Sequence, residues 1–322
     1  MPNLSHTVKE QLNPPLRLDR YVSEILRVFP ARSRIKTRKL TAKVNSKNVK
    51  LSHPVKQGDC LELCWEDAVP EGLIPQDIPL VIVYEDENCA VIDKAQGMVV
   101  HPGAGNRQGT LANALCFRRR EKTGINYDDI KKSDKTNENL RAGIVHRLDK
   151  DTSGLIIASY NDDAHFFLCE QFRSRSVKKY YIAIVHGVPD TEKGKIDISI
   201  ARDQNDRKRF TVSVNGGSRG RNAVTFYKVI KSWKNYSLVL LRPRTGRTHQ
   251  LRVHMRHIGH PILGDPVYGK KDSVFPKESL MLHSKKLAVI LPGESKERIF
   301  SSVMPQRFIS VIEKLDGLYA HE

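Results

Sequence analysis

Apolar and polar residues alternate with a two-residue period along much of the second half of the chain. Such alternation is typical of β-strands that bury one face in a core. Basic loops rich in turn-forming residues separate some of these runs, as in NGGSRGRN at 215–222. Because neighbouring strands joined by such loops usually pair antiparallel, the pattern predicts a mainly antiparallel sheet. The predicted strands are residues 178–187, 195–200, 209–214, 223–233 and 236–241.

Helical periodicity is confined to a few segments that flank the predicted strands. Asn161 or Asp162 can cap a helix that carries apolar residues on one face. A basic amphipathic helix is predicted from Thr248, and the closing segment PQRFISVIEKL also has helical spacing. Strands and helices that alternate irregularly in this way predict an α+β fold with a mixed, mainly antiparallel sheet and flanking helices.

A proline-rich and acidic stretch divides the chain into a small and a large part. Residues 67–79 contain three prolines and read as a linker. We therefore predict an unstructured leader at 1–15, a small domain at 16–66 and a large domain at 80–322. The small domain shows helical spacing at 16–29, followed by short strand-like runs.

The excess of basic over acidic residues indicates which class of molecule the protein binds. The chain has 54 Lys and Arg residues against 36 Asp and Glu residues, a formal net charge of +18. This excess is spread along the chain, which favours a folded surface for a polyanion such as nucleic acid. Five irregularly spaced cysteines fit a reducing cytoplasm better than a disulfide framework, and no apolar run approaches the ~18 residues of a membrane span.

The segment from Gly143 to Ser159 concentrates charge between two apolar runs. Its sequence, GIVHRLDKDTSGLIIAS, predicts two short strands around a polar turn. Asp149 follows an apolar Leu148 and lies two residues from Arg147, whose positive charge favours an ionised carboxylate. Such a carboxylate can act as a nucleophile. The alternative is a solvated hairpin tip without function.

The residues HRLDKDTSG at 146–154 resemble the signature of the RluA-type family of RNA pseudouridine synthases. By this resemblance Asp149 is the catalytic residue. RTGRTHQLRVH at 244–254 resembles the next motif of the family, in which Arg252 pairs with the catalytic carboxylate. The strand around Tyr181 resembles the element that places a tyrosine against the target base, where it takes part in proton transfer. The strand around Leu282 resembles the one that supplies apolar contacts near the site.

The resemblance implies an isomerase that converts uridine within RNA to pseudouridine, on a fold with a central cleft. The base leaves its stack to reach the carboxylate, and Arg147 holds or replaces it. Arg247, Thr248 and His249 are expected to support the site or face the RNA. The sequence does not decide whether Asp149 attacks the sugar or the uracil ring. Neither a cofactor nor a metal is expected, because the reaction has no redox or hydrolytic step.

Residues 16–66 resemble the small α/β RNA-binding module that often precedes the catalytic domain of this family. ARSR at 31–34 matches its basic motif, so Arg34 is a predicted RNA contact, but the Asn-Gly turn is replaced by Asn45-Ser46. The polar loop at 118–141 is either an RNA-contacting flap or a plain insertion.

We expect a cytoplasmic monomer that acts on ribosomal RNA of the large subunit, with transfer RNA as the alternative substrate. A non-catalytic RNA-binding or ribosome-assembly protein on the same fold is the first rival hypothesis. A hydrolase or phosphotransferase built on Asp149 is the second, but a glycosidase needs a paired acid, for which Asp151 is the only near candidate.

Overall fold

The structure is a computed structural model. It describes residues 3–26, 28, 35, 40–65, 73–103, 105–123, 142–206, 209–213 and 220–320. The chain divides into two compact units, Met1–Glu71 and Gly72–Glu322. Arg34 and residues 124–141 of the predicted loop lie outside the described residues.

The small unit is built on a four-stranded antiparallel sheet in the order β1-β6-β3-β4. Its apolar core includes Leu18, Tyr21 and Leu61. The unit comprises β1 (Asn3–Thr7), β2 (Leu16–Arg17), α1 (Leu18–Arg20), the π-helical turn α2 (Tyr21–Ile25), β3 (Thr41–Val44), β4 (Lys47–Val49), β5 (Pro54–Val55) and β6 (Cys60–Cys64).

Two features of the small unit differ from the sequence predictions. The prediction of an unstructured leader is wrong at residues 3–7, because β1 pairs along β6 and Leu4 packs against the core. The turn between β3 and β4 forms without glycine, since Asn45 and Ser46 both adopt positive φ angles, 50° and 65°. The side chain of Asn45 supports the turn by accepting a hydrogen bond from the backbone of Cys60 at 2.9 Å.

The large unit contains a nine-stranded mixed sheet. Its order is β11-β14-β15-β10-β16-β9-β8-β7, with β17 paired to β16. All the pairings are antiparallel except that of β9 with β16. The strands are β7 (Val81–Glu85), β8 (Cys89–Lys94), β9 (Ser153–Ser159), β10 (Lys178–His186), β11 (Lys193–Asp197), β14 (Val224–Trp233), β15 (Tyr236–Pro243), β16 (Leu282–Ile290) and β17 (Glu297–Ser301).

Among the described residues, a small hairpin and four helices accompany the sheet. The hairpin pairs β12 (Ser199–Arg202) with β13 (Phe210–Ser213). The helices are α3 (Leu111–Thr123), α4 (Asp162–Arg173), α5 (Gln250–His257) and α6 (Gln306–Leu318). Asn161 caps α4 as predicted, by accepting a hydrogen bond from the backbone of Ala164 at 2.9 Å. The α+β prediction with a mainly antiparallel sheet is confirmed.

The central segment differs in detail from the predicted pair of strands. Residues 153–159 form the buried strand β9, whereas Ile144 makes only an isolated bridge to Ala158. The charged residues before Ser153 therefore form a loop that leads into a strand inside the sheet. Gly154 is required where β9 passes β16, because its φ is +106° and a Cβ would lie 2.4 Å from the carbonyl oxygen of Ser284.

No helix among the described residues is both long and apolar enough to cross a membrane.

Candidate active site

A cavity of about 470 Å³ lies in the large unit beside the charged loop. The loop at 145–149, one end of β10 and the segment from Pro243 to Arg252 form its walls. The predicted site residues of this unit all line it, although they come from four separate stretches of the chain. They are Arg147, Asp149, Tyr181, Arg247, Thr248, His249, Arg252 and Leu282.

Two side chains, the half-buried His146 and the buried Lys94, fix the loop that carries Asp149. The imidazole of His146 stacks on Phe172 at 4.4 Å, and its Nε2 accepts a hydrogen bond from the backbone of Ile157 at 3.0 Å. Burial lowers the pKa of His146 to about 3, so the ring stays neutral and remains an acceptor. On the other side of Asp149, the ammonium of Lys94 donates to the carbonyl oxygen of Lys150 at 3.1 Å. The loop is therefore held from both sides, and this leaves the Asp149 side chain 18% exposed, facing the cavity.

Arg252 joins Asp149 to a second carboxylate. Its Nη1 donates to Oδ2 of Asp149 at 3.3 Å. Its Nε and Nη2 donate to the two oxygens of Asp265 at 2.7 and 2.8 Å. Burial lowers the pKa of Arg252, but the hydrogen bonds and charges of Asp265 and then Asp149 raise it overall. The guanidinium is thus a permanent cation with a fixed orientation.

The buried Asp265 is itself fixed by the backbone. Its Oδ1 accepts hydrogen bonds from the N–H groups of Val267 and Tyr268 at 2.8 and 2.9 Å. Burial raises the pKa of Asp265, but the contacts with Arg252 and these backbone groups lower it overall. Asp265 therefore remains ionised and holds the guanidinium of Arg252 in place.

His249 approaches Asp149 from the start of α5. Its Nδ1 lies 2.9 Å from the hydroxyl of Tyr268, which accepts a hydrogen bond from the backbone of Phe210 at 2.8 Å. If Nδ1 accepts the Tyr268 proton, the His249 N–H lies on Nε2, and that nitrogen is 3.9 Å from Oδ2 of Asp149. Burial lowers the pKa of His249, although the charge of Asp149 opposes the shift, so the ring is neutral at neutral pH.

Tyr181 and Leu282 form an apolar side of the cavity. They project from the neighbouring strands β10 and β16, and both are buried. Burial raises the pKa of the Tyr181 phenol, and the charge of Asp149 raises it further. Tyr181 is accordingly a neutral phenol next to a cavity that contains a carboxylate.

The lining of the cavity is strongly cationic. Among the described residues that line it, Asp149 is the only carboxylate, against seven Arg and Lys side chains. Those cations are Arg147, Arg173, Arg175, Lys179, Arg244, Arg247 and Arg252. Such a lining favours a polyanionic ligand. No group of three or more side chains suited to holding a metal ion occurs in the part of the chain that the structure describes.

The sequence interpretation missed Asp265 and Tyr268, both of which orient the side chains around Asp149. They belong to GDPVYG at 264–269, a short distance after the motif that contains Arg252. Asp265 had a local signal, because an aspartate in a turn often accepts hydrogen bonds from the next backbone N–H groups. No local sequence signal indicated its contact with Arg252.

Comparisons with known proteins agree with the geometry. The family model described as RNA pseudouridylate synthase matches residues 88–257. The chain is 42% identical to ribosomal large subunit pseudouridine synthase D of Borreliella burgdorferi, over 94% of this chain and 90% of that protein. It is 40% identical to the protein of the same name from Zymomonas mobilis, over 90% of each.

A solved structure points to the same family. Human RNA pseudouridylate synthase domain containing 4 superimposes with a TM-score of 0.57 and 28% identity, over 73% of this chain and 92% of that one. This likeness of the overall fold supports the architecture and not the roles of single residues. The chain belongs to the RNA pseudouridylate synthase family, and it is an isomerase that converts uridine in RNA to pseudouridine.

Proposed function

We propose that this enzyme modifies uridines of large-subunit ribosomal RNA, with Asp149 as the nucleophile. Two relatives that match nearly the whole chain are named ribosomal large subunit pseudouridine synthase D. The net charge of +18 fits a long RNA substrate. The main support for Asp149 as the nucleophile is the position of its carboxylate, which lies in the cationic cavity, 3.3 Å from Nη1 of Arg252.

The cavity volume of about 470 Å³ suits a single nucleoside taken out of its stack. Asp149 bonds to the extruded nucleoside, either at the anomeric carbon of the sugar or at the uracil ring. The bond from N1 to the sugar breaks, the base rotates, and a bond from C5 to the sugar forms. The bond to Asp149 then breaks, which regenerates the carboxylate. C5 loses a proton and N1 gains one, so atoms and charge balance without a co-reactant.

Arg252 orients the nucleophile for attack. Tyr181 lies against the base. Its phenol is neutral, so it acts as a proton relay: the hydroxyl gives up its own proton as its oxygen accepts another. Leu282 supplies an apolar contact for the base, and the Nε2 proton of His249 faces the carboxylate.

The remaining predicted residues act on the RNA rather than on the reacting bonds. Arg147 is exposed beside Asp149, and we assign it to the space that the extruded base vacates. Arg247 and Thr248 face the RNA at the opposite wall. The protein acts as a monomer in the cytoplasm, where its five free cysteines stay reduced, and its small unit adds RNA contacts.

The test is pseudouridine mapping across total RNA from cells that contain the wild-type gene, no gene, or the Asp149→Asn variant. We expect specific sites in large-subunit ribosomal RNA to lose the modification without the gene and with the variant. In vitro, the variant should lose turnover by more than ~10³-fold because it lacks the nucleophile, while it still binds RNA. Sites confined to transfer RNA would overturn the proposed substrate, and full turnover by the variant would overturn the role of Asp149.

A further inference from the structure

Lys179 has no role in the chemistry described above, yet it lies in the same cavity. It stands on β10 two residues before Tyr181, and its ammonium lies 5.5 Å from the centre of the Phe172 ring. Within the described residues, that ammonium makes no hydrogen bond and no ion pair. Burial alone lowers the pKa of Lys179. A charged group in such a position destabilises the free protein, because it has lost water without gaining a carboxylate.

The neighbouring Lys178 is a useful contrast. Its side chain is exposed, and its ammonium pairs with Glu297 at 2.9 Å. It does not line the cavity. Two adjacent lysines on one strand thus have opposite surroundings, since successive side chains point to opposite faces of a sheet.

Further cations surround Lys179. The segment from Thr245 to Arg247 passes beside it, so that a Cβ built on Gly246 would lie 3.8 Å from its Nζ. Burial, followed by the positive charges of Arg221 and Arg175, lowers the pKa of Arg247. The guanidinium of Arg247 donates only to the backbone carbonyl of Asn222, at 3.1 Å, among the described residues. This wall of the cavity therefore gathers positive charge that no described carboxylate neutralises.

The carboxylate of Asp149 does not serve as the missing partner. It is engaged by Arg252 at 3.3 Å, and the next nearest basic side chain is the neutral His249, whose Nε2 lies 3.9 Å away. The anion that fits beside Lys179 must therefore arrive with the substrate. RNA carries one phosphate on each side of every nucleoside, so a phosphate lies near any base placed in the cavity.

We propose that Lys179 binds a backbone phosphate next to the reacting uridine, and that Arg175 and Arg247 complete the phosphate site. This inference rests on the proposed placement of the uridine at Asp149. Phosphate contacts set the register of a nucleic acid on a protein. Lys179 is consequently a binding and positioning residue that brings one nucleoside opposite Asp149, and not a catalytic residue.

The experiment uses full-length protein and a short RNA taken from around a uridine identified by the mapping above. The variants are Lys179→Met, Lys179→Arg and the control Lys178→Met. For Lys179→Met, we expect KM to rise about tenfold and the slope of log Kobs against log salt to fall by ~0.7, as for one lost contact to a single-stranded phosphate. We expect kcat at saturating RNA to change little, Lys179→Arg to keep most of the binding, and Lys178→Met to match the wild type.

A second measurement identifies the phosphate from the RNA side. Methylphosphonate linkages, which carry no charge, replace the phosphates flanking the uridine one at a time. One of these modified RNAs should bind wild-type protein more weakly than unmodified RNA does. The Lys179→Met variant should bind that modified RNA and the unmodified RNA equally well. Thermal unfolding checks the variant, which should be at least as stable as the wild type because a buried charge is gone.

The outcomes separate this inference from the proposed function. If the wild type modifies the RNA but Lys179→Met has an unchanged KM and salt slope, the phosphate site is wrong and the enzyme assignment stands. A fall in kcat with an unchanged KM also overturns the site, since Lys179 would then act on the chemistry. If the wild-type protein modifies no uridine in that RNA, the proposed substrate fails instead.

Discussion

Two arginines in the large unit make nearly the same bidentate contact with a carboxylate, yet only one faces the cavity. Arg118 on α3 donates through Nε and Nη2 to Glu85 on β7 at 2.7 and 2.6 Å. Arg252 on α5 donates through the same two nitrogens to Asp265 at 2.7 and 2.8 Å. The two pairs therefore share their chemistry and their local geometry.

Their surroundings differ in two respects. The Arg118 side chain is 37% exposed, and the hydroxyl of Tyr160 also donates to Glu85, so this cluster ties α3 and β9 to β7. The Arg252 side chain is 5% exposed, and its remaining Nη1 contacts a second carboxylate, Asp149. A bidentate pair alone is thus a structural tie. It becomes part of an active site when a third nitrogen is presented to a carboxylate in a cavity.

Replacing the two arginines should separate these roles most strongly. For Arg252→Met we expect kcat to fall by roughly 10²–10³-fold, because Asp149 loses the donor that orients it. Unfolding should also become easier by about 3–5 kcal/mol, since Asp265 is left buried and unpaired. For Arg118→Met we expect unchanged kcat and a loss of stability of about 1 kcal/mol, as for a partly exposed pair. Single-turnover kinetics and urea unfolding measure both effects.

Arg252→Lys is the control for the possibility that Arg252→Met fails to fold. Lysine keeps the charge but cannot make the bidentate contact, so kcat should still fall while the protein remains folded. Wild-type turnover by a folded Arg252→Lys variant would contradict the orienting role.

Replacing Asp265 and Glu85 should give a smaller difference in kcat than replacing the two arginines. Asp265→Asn keeps the shape of the side chain but removes the charge that holds Arg252. We expect kcat to fall by roughly 10- to 10²-fold through misplacement of Arg252, with KM little changed. The matched variant Glu85→Gln should lower stability and leave kcat alone. Equal kcat values for the two variants would show that the Arg252–Asp265 pair is only a structural tie.

The smallest effect concerns stability in acid. Hydrogen bonds from Arg118, despite the opposing effect of burial, lower the pKa of Glu85 to about 2, against an ordinary value of 4.5. The folded state thus favours the ionised carboxylate. The stabilisation is complete above pH 4.5 and is lost as the pH falls towards 2. Between pH 4.5 and 2, the free energy of unfolding of Glu85→Gln should fall by about 1 kcal/mol less than that of the wild type, after allowance for solvent screening. Urea unfolding at several pH values is the measurement, and parallel wild-type and variant curves would contradict it.

Many elements of the fold follow from local sequence patterns. The alternation at 178–187 and 236–241 predicted β10 and β15 to within a few residues, and Asn161 marked the start of α4. The helix predicted from Thr248 begins at Gln250, because His249 adopts a left-handed φ of 56°. The strand β1 escaped prediction because NLSHT has little apolar character and gains its stability from pairing with β6.

The sequence by itself determined the charge of the chain, the strand and helix periods, and the motifs that carry Asp149 and Arg252. These properties depend on residues close together along the chain. Only the tertiary structure decided that Asp265 holds Arg252 and that Tyr268 contacts His249. It also decided that the half-buried Lys179 has no carboxylate partner among the described residues, while Lys178 has one. Those facts depend on side-chain directions and on packing between distant segments, which no local pattern contains.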